Sequence, residues 1–230
     1  IFFYFQMKTY KNLVLIGTSH IAKQSVKEVE EIIHKIKPEI VALELDKNRF
    51  HALMNKERGR LKLSHVKIIG FKGYLFAKFG EFAERKLGSH VGVSPGTEML
   101  KAAEVGKEIG SRIALIDQNI EITLKNFSKE ITWKEKFRFF SDFLTGIFSK
   151  KNKLKINLNK VPDKNLIDEL LKTVKKRYPN LHKVLVSDRN KFMAKKLFVL
   201  MKNHKNIIAV VGAGHEDEII EEIKKIERAN

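Results

Sequence analysis

The chain of 230 residues carries 45 Lys and Arg against 27 Asp and Glu, a formal net charge of +18, with 43% hydrophobic residues and no cysteine. This composition belongs to a folded chain and, by length, to a single domain, not to a disordered one. It excludes disulfides, thiolate zinc sites and thiol nucleophiles, so any bound metal must be held by His and carboxylate. No apolar run approaches the ~20 residues of a membrane-spanning helix.

Ile1–Gln6, "IFFYFQ", precedes Met7 and reads as the remnant of a cleavable tag, which leaves residues 7–230 as the domain. "NLVLIGTSH" is a short apolar run closed by Gly17, the pattern of a strand buried on both faces. Val26, Val29, Ile32, Ile33 and Ile36 then recur at helical spacing until Pro38. "EIVALELD" is a second buried strand, most naturally parallel to the first. Phe71, Leu75, Phe79 and Phe82 predict a helix interrupted by glycines, and a further helix starts near Thr97 and ends at Gly110.

"SRIALID" is a third strand. Trp133, Phe137, Phe140, Leu144 and Phe148 form one stripe of a long helix, expected to be core or a helix–helix seam. Helices are predicted over Asp163–Tyr178 and Asp188–Asn203, with Ser187 or Asp188 as the N-cap of the second. "NIIAVVGAG" is the last strand and "HEDEIIEEIKKIE" the terminal helix. Alternating strands and helices define an α/β fold, a largely parallel central sheet flanked by helices, with a helical insertion at about 127–179.

In a parallel sheet, groups just past the carboxyl ends of strands gather at one edge. Four strands here end on His20, Glu44, Asp117 and His215, a set able to bind a cation or move protons. His20 and His215 sit in matched Gly-x-x-His contexts, Gly17–His20 and Gly212–His215. Glu44, between Leu43 and Leu45, is costly to bury unless paired or metal-bound, and Arg49 or a lysine is the ordinary partner.

"GAGHEDEI" is not a phosphate loop, because Glu216, Asp217 and Glu218 occupy the helix start and repel a pyrophosphate. Gly212 and Gly214 are expected instead to permit a sharp turn and close backbone approach that aim His215 inward. Glu98 stands in the first turn of its helix, and Arg189 is an early-helix cation able to steady an oxyanion or a carboxylate. The other six histidines, including His182 and His204, show no partner pattern and read as bystanders.

Between Lys150 and Lys205 there are 17 Lys and Arg against four Asp and Glu. That field attracts anionic partners. Nucleic acid is the weaker reading, since no recognised module or interleaved aromatic pattern is present.

Taken together, "GTSHIAKQSV", "PEIVALELDKNR", "PGTEMLKAA", "ALIDQNIEITL", "SDRNKFMAKKL" and "VVGAGHEDEI" resemble the TraB/PrgY family, which is grouped with the TIKI proteins, over about Leu13 to Ile220. The resemblance implies a metal-dependent protease using both Gly-x-x-His histidines and a glutamate, and a link to shutting down peptide pheromone signals. Carried over by position, it points to Gly17, His20, Glu44, Glu98, Arg189, Gly212 and His215. On that reading His20, Glu44 and His215 hold one divalent cation, Mn or Zn, Glu98 is a further ligand or general base, and Arg189 stabilises an oxyanion.

Two segments depart from the family pattern: Asp117-Gln118-Asn119 lacks the expected charged pair, and Asn190 stands where an acid is expected. These departures favour, as the alternative, a peptide-binding or regulatory module without turnover. The resemblance further implies C-terminal membrane helices outside this sequence, a soluble cytoplasm-facing domain and, for the positive Lys150–Lys205 stretch, an anionic membrane surface as partner. The sequence itself leaves oligomeric state open, and a homo-oligomer could complete the site.

Overall fold

The computed structural model describes residues 7–18, 23–55, 74, 96–148 and 164–229. Its frame is one five-stranded sheet. The strands are β1 (Met7–Tyr10), β2 (Leu13–Thr18), β3 (Ile40–Leu43), β4 (Arg112–Leu115) and β5 (Ile207–Gly212), in the spatial order β1-β2-β5-β3-β4. β1 is antiparallel to β2, and every other neighbour is parallel. The predicted parallel sheet is therefore present, with an antiparallel edge strand that the sequence reading omitted. "MKTY" gives no apolar run, since its residues alternate between exposed and half-buried.

Alternation along the strands explains the layers. Leu13, Leu15, Ile40, Ala42, Ile207, Ala209 and Val211 face one side and meet Met193, Leu197, Phe198, Ile219 and Ile223. These partners come from α8 (Asp188–Asn203) and α9 (Glu216–Ala229). Ile16, Val41, Leu43, Ile208 and Val210 face the other side and meet Val29, Ile33, Met99, Ala102 and Val105. Those lie on α1 (Lys23–Ile36) and α3 (Thr97–Glu108). With both faces covered, the strands read as unbroken apolar runs.

β5 is last in the chain yet central in the sheet. It pairs β2 on one side, with Gly17 opposite Val211 and Thr18 opposite Gly212, and β3 on the other. The carboxyl ends of β2, β3 and β5 are thus neighbours. α2 (Lys47–Met54) follows β3, capped by Asp46, whose Oδ1 accepts from the Asn48 and Arg49 amides.

The remaining helices are α4 (Ile120–Glu130), α5 (Trp133–Phe148), α6 (Lys164–Arg177) and α7 (Pro179–His182). Thr132 and Glu135 form a capping box at the start of α5, and Glu135 also accepts from the Asn180 amide and side chain. The buried carboxylate therefore ties α5 to α7.

Two expectations change here. Trp133 is 65% exposed and Phe137 72%, so this end of the aromatic stripe is not core; the side that packs carries Glu135 and Asp142, which bonds Arg177 and Tyr178. Ser187 makes no capping bond, because the chain passes into α8 through a π turn, Lys183–Ser187, without leaving helical geometry. The predicted helix around Phe71–Phe82 lies outside the described residues. Among the described residues, no helix is long and apolar enough to cross a membrane.

Gly106 lets α3 lie flat on β3 and β4, since a methyl group there would sit 2.9 Å from Ile113 Cδ1 and 3.0 Å from Val41 Cγ2. Gly106→Val is expected to lower unfolding free energy by about 1–3 kcal/mol, read as a shifted urea midpoint at unchanged slope.

Candidate functional site

Glu44 follows β3 directly and is 3% exposed. Its position is fixed by the sheet, because its amide donates to Val210 O of β5 at 3.1 Å. Oε2 accepts the Gly212 N–H at 2.7 Å. Oε1 accepts from Arg189 Nη2 and lies 3.3 Å from His215 Nε2. A strand-end carboxylate is thereby held by a backbone amide, a guanidinium and an imidazole.

Arg189, in the first turn of α8, also bonds Asp117 through Nε at 3.0 Å and Nη2 at 2.8 Å, and Leu185 O through Nη1 at 3.2 Å. Arg49 Nη1 reaches Asp117 Oδ2 at 3.0 Å. The result is a chain Arg49–Asp117–Arg189–Glu44. Burial works against the charge on Arg189, but Glu44 and Asp117 more than offset it, and the guanidinium is held protonated. The expected Glu44–Arg49 pair does not form: Arg49 serves Asp117, and Glu44 is served from 145 residues away.

His215 begins the turn into α9, where Ile219 N donates to its carbonyl. Its Nδ1 lies 2.6 Å from Asn190 Oδ1, and Asn190 Nδ2 donates to Glu218 Oε2 at 2.8 Å. An ionised Glu218 only accepts, so the amide nitrogen of Asn190 faces it and Oδ1 faces the imidazole. Nδ1 of His215 is then the donor, and Nε2 is the atom turned to Glu44.

The glycines act by close approach. The chain does turn tightly here, His215 N donating to Gly212 O at 2.9 Å, and it does so without positive φ at Gly212 or Gly214. Gly212 supplies the N–H to Glu44, and Gly214 leaves room for Leu171 of α6, whose Cδ1 would be 3.2 Å from an added methyl. At Gly17 a methyl would stand 2.5 Å from Glu216 Oε2, so the first Gly-x-x-His glycine makes space for a carboxylate of α9.

Glu98 is 1% exposed in the first turn of α3 and shares no hydrogen bond with Arg189. α3 leads into β4, so its first turn lies at the carboxyl edge of the sheet. Gly96 opens it at φ 85 beside Leu53 of α2. Asp46 Oδ2 is buried at this edge without a hydrogen-bond partner among the described residues. His20 lies outside the described residues, and within them no three His, Asp or Glu side chains stand together as a metal site.

Whether the donors present suit a cation can be judged from His215 and Glu44. Two ligands of one tetrahedral ion at about 2.0–2.2 Å stand about 3.3–3.6 Å apart. The observed 3.3 Å separation between His215 Nε2 and Glu44 Oε1 suits that spacing, and Asn190 behind Nδ1 is the support a metal-ligating histidine ordinarily has.

Sequence reasoning passed over two of these residues. His182 is 3% exposed, with Nε2 3.9 Å from Glu218 Oε1 and Nδ1 3.3 Å from Ser187 Oγ. Asn190, buried completely, registered only as a missing acid. The available signal was helical position: Arg189 and Asn190 both open α8 at the sheet's carboxyl edge.

The parallel sheet, the buried carboxylate at its edge and the histidine turn after β5 define an α/β domain with a strand-end His–Glu–Arg site. The chain belongs to the TraB/PrgY/gumN family, whose profile matches residues 7–225. It is 38% identical over 226 residues to an uncharacterised protein of Methanocaldococcus jannaschii, covering 95% of this chain and 55% of that one. It is 23% identical over 192 residues to a human TraB domain-containing protein, covering 78% and 50%, and 24% identical to the mouse protein over the same shares. The chain thus spans about half the length of the curated relatives it matches.

Arg189→Met removes the guanidinium shared by Glu44 and Asp117 and is expected to cost about 3–5 kcal/mol in urea unfolding. Arg49→Met, at a guanidinium 41% exposed, costs less. Burial lowers the His182 pKa below 6.5, only partly countered by Glu218. With the folded value below the unfolded one, His182 contributes stability fully above about pH 6.5 and loses it as pH falls. His182→Gln should flatten the stability profile between pH 7 and 5.

Proposed function

We propose that this chain is a metal-dependent hydrolase acting on peptides, with His215, Glu44 and His20 as ligands of one divalent cation. The observation that supports it is the facing of His215 Nε2 and Glu44 Oε1 at 3.3 Å. Nδ1 donates to Asn190, so Nε2 turns a lone pair or one shared proton towards a carboxylate oxygen. The pair needs a positive charge between its two atoms, either that proton or an ion. Mn and Zn both suit a His and carboxylate set.

A cation bound there would lower the pKa of a water and polarise a scissile carbonyl. The protein's own groups do the rest. Gly212 N–H and Arg189 hold Glu44 in place, and Asn190 steadies the imidazole. Glu98, on the same edge, is the carboxylate assigned as further ligand or base.

Arg189 supports a second reading, a peptide-binding module without turnover. Its bonded nitrogens serve Glu44, Asp117 and Leu185 O, so the group expected to steady developing charge is engaged with the protein itself. An anionic membrane surface for the Lys150–Lys205 charge, and a homo-oligomer completing the site, belong to the same proposal as partners.

Titration of chelator-treated protein with Zn²⁺ and Mn²⁺ is expected to show one ion per chain. Glu44→Gln and His215→Ala should abolish that binding, and cleavage of a mixed peptide library should follow the metal. Binding of peptides that is indifferent to chelator and yields no products would establish the second reading. A chain that binds neither metal nor peptide sinks both.

A further inference from the structure

The helix that carries Arg189 and Asn190 reaches the site through the π turn Lys183–Ser187, which winds one extra residue into its first turns. His182 and Asn190 are eight residues apart. On an uninterrupted α-helix they would point about 80° apart, whereas the inserted residue restores the spacing of seven, about 20° apart. Both side chains accordingly meet one carboxylate. Glu218 Oε1 is 3.9 Å from His182 Nε2, and Oε2 accepts from Asn190 Nδ2 at 2.8 Å.

The consequence runs through Asn190. Its amide has two ends, and a carboxylate on one side selects which end faces the other. With Nδ2 on Glu218, Oδ1 is presented to His215 Nδ1 at 2.6 Å. That oxygen accepts only a protonated Nδ1. Nε2 is then the nitrogen left to meet Glu44, whether a proton or a metal ion lies between them.

We propose that Asn190 and Glu218 are positioning residues that keep a proton on His215 Nδ1 and hold Nε2 against Glu44, and that the π turn brings them into line. The effect on metal affinity rests on the cation-site reading above; the placement of the proton does not.

The test uses ¹⁵N-histidine-labelled protein, free of metal and loaded with Zn²⁺. Wild type is expected to show a hydrogen-bonded, exchange-protected His215 Nδ1–H in both states. Asn190→Leu should lose that protection and weaken Zn²⁺ binding about 10–100-fold. The double variant Asn190→Asp with Glu218→Gln reverses the middle bond while keeping an acceptor on Nδ1, and should restore both.

Glu218→Ala alters a side chain already 38% exposed, so it tests the same link where folding is not at stake, and should speed Nδ1–H exchange. Wild type that takes up no Zn²⁺ yet shows a protected Nδ1–H lost in Asn190→Leu would end the metal reading and leave the positioning intact. A His215 protonated only on Nε2 would overturn the positioning. So would unchanged exchange in both Asn190→Leu and Glu218→Ala.

Discussion

Glu44 takes the place of a core residue and remains a carboxylate. At 3% exposure an uncompensated charge there would cost several kcal/mol, far more than the burial of its neighbours Leu43 and Leu45 returns individually. Among the described residues it is met by the Gly212 amide at the end of β5 and the guanidinium at the start of α8, and the imidazole at the start of α9 faces the same carboxylate. Each element must therefore dock in one register for Glu44 to keep these partners. The polar edge and the apolar layers then favour the same arrangement, which is the consistency expected of a sequence that specifies one fold.

The central position of β5 makes this economical. Because β5 lies between β2 and β3, the ends of three parallel strands are adjacent without any long loop to carry side chains between them. The strands leading into the two Gly-x-x-His motifs pair residue for residue up to Thr18 and Gly212. Glu44 bonds to both the backbone at Val210 and the amide of Gly212, so it fastens the same strand twice. A site on strand ends and first helical turns inherits the rigidity of the sheet, which suits groups that must keep fixed separations.

What could be read from the sequence follows from how local each signal is. Buried strands announce themselves as apolar runs, and their polar terminators Glu44 and His215 stand out against them. Asp188–Asn203 was likewise legible as a helix, since its apolar positions repeat at helical spacing.

Partner choice was not legible. Nothing near Glu44 distinguishes Arg49, five residues on, from Arg189, and only the docking of α8 decides between them. Gly17 shows the same limit: the group packed against it is a carboxylate of α9 from the far end of the chain, so no local turn rule could supply the reason for glycine. The π turn was invisible too, since nothing in "KVLVS" separates it from ordinary helix.

The protein's overall positive charge contrasts with the carboxylates buried among the described residues at this edge. The chain as a whole is +18, yet Glu44, Asp46, Glu98, Asp117 and Glu216 are all buried at or beside the carboxyl ends of the strands. Arg49 and Arg189 answer two of them through Asp117 and Glu44, and Lys196 approaches the same ground by donating to Leu115 O at 2.9 Å. Burial lowers the Lys196 pKa, with Asp117 acting against that loss of charge. The long-range field of a protein with this net charge is positive, while buried carboxylates shape the short-range field at the strand ends. Distance separates the two effects: beyond about 10 Å solvent and salt leave only the net positive charge, and within a few ångströms the local carboxylates dominate.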